Sequence, residues 1–121
     1  MRDDDNNRKR VQLHVDDNGG RYQGGHDGNG HLHAKASDGQ VAFALDIVGN
    51  KHEIASVDFF EDPDRQLSYT PNPIPPGTTA VQIHDLNTKE LNARYRINVR
   101  AKQDGRVFAC DPMISNEPRG R

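Results

Sequence analysis

The chain contains no tryptophan, a single cysteine and only 6% aromatic residues among 121 positions, and each scarcity removes a class of protein. One cysteine cannot close an internal disulfide, so a disulfide-stapled scaffold is excluded and a reducing, cytoplasmic setting is expected. No apolar run reaches the length of a membrane-crossing helix. The N-terminal MRDDDNNRKR also has no hydrophobic stretch to act as a signal peptide, so no membrane is expected as a partner. Excess charge is lacking too: the formal net charge is -2 although 28% of residues are charged. That balance argues against a general electrostatic grip on nucleic acid or anionic lipid. Apolar residues make up 32% of the chain, enough for one modest core and one domain.

What the chain does have is alternation. Residues 1–9 are polar and read as a frayed tail, and 10–121 as the domain. Val11, Leu13 and Val15 alternate with Gln12, His14 and Asp16, the pattern of a half-buried strand. A glycine-rich stretch follows and reads as a loop, since seven of the eleven glycines lie from Gly19 to Gly39. Strands are expected at 31–37 and 40–48, joined by Asp38-Gly39 as a two-residue hairpin turn. Another is expected at 53–60, with Ala55, Val57 and Phe59 facing opposite to Ile54, Ser56 and Phe60.

Five of the seven prolines fall in EDPDRQLSYTPNPIPPG, which must therefore be a crossing loop or an edge segment. Alternation resumes at 79–85, and Asn87 three residues before Glu90 suggests one capped helical turn. It is clearest in ARYRINVRA, where Tyr95, Ile97, Val99 and Ala101 oppose Arg94, Arg96, Asn98 and Arg100. Asp104-Gly105 hands this strand to a last one at 106–110, which Pro112 ends near Cys110. About seven strands without an amphipathic helix predict an all-β fold: a two-sheet antiparallel sandwich of immunoglobulin-like type.

The C-terminal RVFACDPMISNEPRG holds Asp111-Pro112 and, four residues beyond that pair, Glu117-Pro118. In these two dipeptides the chain resembles the DP-EP family of small bacterial all-β proteins. The resemblance implies an all-β fold and a bacterial source, and it implies no activity. The Asp-Pro that ends a late strand is also loosely similar to one in the bacterial inclusion-body proteins.

Cys110 and Met113 invite comparison with a blue-copper site, which needs two histidines, a cysteine thiolate and a weak axial ligand. The last histidine is His84, so the histidine that should follow the cysteine is missing. Cys110 instead shares a strand face with Phe108, while Val107 and Ala109 share the other, and it reads as a small core or interface residue.

Gly25, His31-x-His33 and Asp38 resemble the first cupin motif, with aspartate in the place of glutamate. Imidazoles at i and i+2 of one strand lie on the same face and could hold a divalent transition metal, with His26 as a loop ligand. Asp38 also occupies the hairpin turn, Leu45 stands where the motif has glycine, and the second motif has only the misspaced echo PPGTTAVQIHDLN. An exposed polar face is the simpler account of His31 and His33.

Arg94, Arg96, Arg100 and Lys102 form a basic stripe with no alternating aromatic for base stacking. Solvent or acidic cross-strand neighbours are the expected company, and nucleic acid is not an expected partner. No nucleophile elbow, phosphate loop or dinucleotide fingerprint occurs. The sequence thus reads as a non-enzymatic sandwich without catalytic residues or a cofactor, binding a protein partner or forming a homo-oligomer through loops or a strand edge. The alternative is a cupin-like metal-binding protein or metalloenzyme using His31 and His33, with His26.

Overall fold

The structure, a computed structural model, describes residues 9–16, 19–25, 30–110 and 113–116. Among these residues the chain is all-β, with strands β1 (Arg10–Asp16), β2 (Gly19–Gly24), β3 (Leu32–Ala34), β4 (Val41–Val48), β5 (His52–Phe60), β6 (Leu67–Thr70), β7 (Ala80–Asp85), β8 (Leu91–Ala101), β9 (Val107–Cys110) and β10 (Met113–Asn116). They form two sheets. Sheet A runs β2-β1-β4-β7-β6; sheet B runs β3-β10-β8-β5, with β9 also on β8. Both sheets contribute to one buried core, Phe43, Leu45 and Ile83 from A meeting Ile54, Tyr95 and Ile97 from B. The result is an open sandwich.

Alternation places most of this core, and the departures have local causes. The expected glycine loop contains β2, because an antiparallel edge strand can be glycine-rich when its partner β1 supplies the apolar side chains. Gly30, at φ +91, is needed for packing: a Cβ there would lie 2.6 Å from the Tyr22 Cβ. The Asp38-Gly39 hairpin does not form. Residues Ala36–Asp38 make a 3-10 turn and the chain crosses from β3 in sheet B to β4 in sheet A. Parallel pairing also enters, β1 with β4 and β3 with β10, so the sandwich is mostly rather than wholly antiparallel.

In β5 a bulge between Ile54 and Ser56 resets the period of two. Ile54, expected opposite Val57 and Phe59, consequently shares the core face with them, Ile54 and Val57 at 1% and 5% exposure. The proline-rich segment is both things expected of it: it crosses from sheet B to sheet A and it provides β6, an edge strand. Asp104-Gly105 does close a hairpin, with Gly105 at φ +74 donating its N–H to Ala101 O at 2.8 Å.

Pairing along β8 does not stop at Cys110. The β9 partners Ile97↔Cys110 and the β10 partners Arg94↔Met113 belong to a single register, so β10 resumes the ladder. The Asp-Pro and Glu-Pro pairs lie outside the described residues, as do His26 and residues 1–8; Lys9, expected in the tail, is tied by its carbonyl to Ala44 N–H at 2.8 Å.

Asn87 caps no helix. It sits at φ +56 and 3% exposure, giving its Nδ2 hydrogens to Lys35 O and Gly39 O, each at 2.8 Å, and its N–H to Asp85 Oδ1 at 2.9 Å. The two carbonyls belong to the β3–β4 crossing, so one amide ties the crossing to the β7–β8 connection. Gln66 extends this pin, its Oε1 accepting from Thr88 N–H at 2.9 Å and Thr88 Oγ1 at 3.1 Å.

Candidate interaction edge

Each sheet of an open sandwich ends in strands with one row of backbone groups unpaired, and the treatment of those rows shows which can accept a partner. Where β8 turns toward β9, Ala101 N–H donates to Arg106 O at 2.9 Å, which fixes the parity of the ladder. The backbone of Arg106, Phe108 and Cys110 therefore faces β8, and the N–H and C=O of Val107 and Ala109 turn away from it. Among the described residues no strand pairs with that side.

Three other edges each carry a local feature that interrupts the row. At β5, Ile54 N–H donates to Thr78 O at 2.8 Å, next to the bulge. At β6, Leu67 N–H donates to Asp62 Oδ2 at 3.0 Å and Pro71 follows the strand. At β2, the outward carbonyl of Gly24 accepts from Gly30 N–H at 2.9 Å.

The side chains of Val107, Phe108 and Ala109 follow the expected division. Val107 is 50% exposed and Ala109 is exposed, while Phe108 is half-buried against the core. Arg106 lies over the Phe108 ring at 5.3 Å, and the buried His52, not singled out from the sequence, meets that ring edge-on at 5.9 Å. Cys110 is the last residue of β9 and Met113 the first of β10.

The basic stripe lies on the outer face of sheet B and has acidic neighbours, as expected. Arg100 Nη1 donates to Glu53 Oε2 at 2.9 Å, and Arg94 pairs with Glu61 at 3.4 Å. Asn98 Nδ2 bridges Ser56 Oγ and Asp58 Oδ2, both at 2.8 Å. The aromatic missing from the alternation of β8 comes from the neighbouring strand: Phe60 lies beneath Arg96 at 4.6 Å and Arg94 at 5.5 Å. Phe60 stands opposite Val57 and Phe59, as the alternation over 53–60 expects, because the bulge lies before Ser56.

The histidine pair sits elsewhere. The strand expected at 31–37 shortens to β3, which His31 precedes, and both His31 and His33 are half-buried. The core-facing positions of β3 belong to Leu32 and Ala34. Asp38, the carboxylate of the motif, accepts from Lys35 N–H at 3.0 Å in the 3-10 turn. Among the described residues no three His, Cys, Asp or Glu side chains form a group able to hold a metal ion.

No family model and no curated protein matches the chain. Among solved structures it is similar to the CupB2 chaperone of Pseudomonas aeruginosa, at 13% identity and a TM-score of 0.50, over 74% of this chain. The match spans 54% of the chaperone's length, and at that identity it is a likeness of fold.

Proposed function

We propose that the protein is a non-enzymatic binding module of immunoglobulin-like type that self-associates by strand addition at β9. The observation that carries this reading is the outward row of Val107 and Ala109 main-chain groups, with which no described strand pairs. Strand addition supplies main-chain hydrogen bonds for affinity and alternate side chains for specificity. An antiparallel pairing of β9 with itself, centred on Phe108, sets Val107 against Ala109 of the second copy, a large side chain beside a small one. That interface is self-complementary, as a two-fold dimer requires. A protein partner also agrees with the fold likeness to a chaperone.

Light scattering across a concentration series tests the reading. The average mass is expected to rise with concentration in the natural sequence. It should stay monomeric in Val107→Lys, which adds an edge charge, and in Ala109→Pro, which removes an outward donor. A chain monomeric at every concentration, or variants that associate equally well, would sink self-association.

A further inference from the structure

The outer face of sheet A carries an open cleft of about 700 Å³. It exists because small side chains on the central strands lie between longer ones. Ala44 of β4 stands across from Arg10 of β1 on one side and Gln82 of β7 on the other, and Asp46 stands across from Ala80. Thr70 and Pro71, at the end of β6, close the far wall.

The floor is thus two methyl groups, and around it converge a guanidinium, a carboxylate and a carboxamide. Among the described residues the side chains of Arg10, Asp46 and Gln82 form no hydrogen bond or ion pair, although Asp46 is half-buried. This contrasts with the outer face of sheet B, where Glu53, Asp58 and Glu61 are engaged with Arg100, Asn98 and Arg94. Arg10 and Gln82 are exposed and Asp46 half-buried around the same floor, so all three are accessible to a ligand seated there.

The chemistry of the three groups narrows that ligand. The planar fork of Arg10 matches a carboxylate bidentately. The Asp46 carboxylate only accepts hydrogen bonds, while the Gln82 amide both donates and accepts, and hydroxyl groups answer both. Ala44 and Ala80 offer a flat apolar floor for the C–H face of a ring. A neutral sugar leaves Arg10 unanswered. Glycine, a zwitterion without a side chain, answers both charges and leaves Gln82 and the floor unused. The cleft volume lies inside the usual range of small-ligand sites, roughly 300–1,000 Å³.

From this charge and shape complementarity we infer that the cleft is a binding site for a carboxylated sugar of the uronic-acid type. Arg10 takes the carboxylate, Asp46 and Gln82 take ring hydroxyls, and the two alanines take the ring face. The site lies apart from β9 and does not depend on pairing there.

Titration of the full chain with digalacturonate, followed by amide chemical shifts, tests the assignment. Running it in the Val107→Lys background separates it from self-association. Saturable shifts are expected, centred on residues 44–46 and 80–82. Arg10→Ala, Asp46→Asn and Ala44→Leu are each expected to weaken binding about tenfold or more, by removing the carboxylate clamp, the hydroxyl acceptor and the open floor. Galactose and glycine should bind at least about tenfold more weakly than digalacturonate. The site assignment is overturned if no saturable shift occurs or if all three variants bind as the parent does. The ligand class is overturned if galactose or glycine binds as tightly as digalacturonate.

Discussion

The outer faces of sheets A and B both carry cross-strand hydrogen bonds, such as His14–Gln23 and Thr70–His84 on A, and differ in how their charged groups are placed. On sheet B acids are in hydrogen-bond contact with a base or an amide across strands, Arg100–Glu53 at 2.9 Å and Asn98–Asp58 at 2.8 Å. On sheet A the parallel pairing of β1 with β4 sets Arg10 across from Ala44 and Gln12 across from Asp46, so acid and base miss each other by one pair. Register, rather than composition, decides whether a charged face helps hold the sheet together or is available to a ligand.

That contrast can be broken by experiment, and the largest effect belongs to the pin between the two layers. Asn87→Ala leaves Gly39 O without this donor and takes one of two donors from Lys35 O, which keeps Asp38 N–H at 3.0 Å, and is expected to cost about 2–3 kcal/mol in a urea unfolding curve. No substitution confined to one outer face should approach it. On sheet B, Asn98→Ala removes two hydrogen bonds and is expected to cost about 1–2 kcal/mol. Gln82→Ala on sheet A should stay within about 0.5 kcal/mol, and an equal cost for the two would erase the distinction between the faces.

A double-mutant cycle on Arg100 and Glu53 should give a coupling of about 1 kcal/mol, because Glu53 is only 14% exposed, whereas the same cycle on Arg10 and Asp46 should give about zero. The Arg94–Glu61 pair, at 50% and 61% exposure, is worth a few tenths of a kcal/mol at most. Its coupling should vanish in about 0.5 M salt. The smallest effect is expected at the histidines. Elemental analysis of untagged protein should give the same metal content before and after His31→Ala and His33→Ala, since Asp38 is held in its own turn; a stoichiometric metal lost with these substitutions would revive the cupin-like reading.

Much of the architecture was legible from period-two alternation, which places β1, β4, β7, β8 and β9. It fails where a strand borrows its core from a neighbour, as glycine-rich β2 does, and where prolines flank one too short to show a period, as in β6. It fails again at the β5 bulge, where one extra residue turns Ile54 inward beside Val57. The histidine motif was easy to see because it is local. The cleft was invisible because Arg10, Asp46 and Gln82 are neighbours only through pairings made between distant segments. The basic stripe was the intermediate case: its residues were plain, and their partners were fixed by a register the sequence does not print.

One pairing bears on how the molecule comes to exist. β3 has a single ladder, the parallel one that sets Leu32 beside Ile114, and no other described strand pairs with it. The loop it closes is among the longest this chain could offer, and such closures slow folding because their entropy must be met before the contacts that reward it form. A chain emerging from the ribosome can assemble sheet A and the β5–β8–β9 core of sheet B first. It must then hold β3 unpaired until the residues after Pro112 appear, so the final stretch acts as the latch on an early strand.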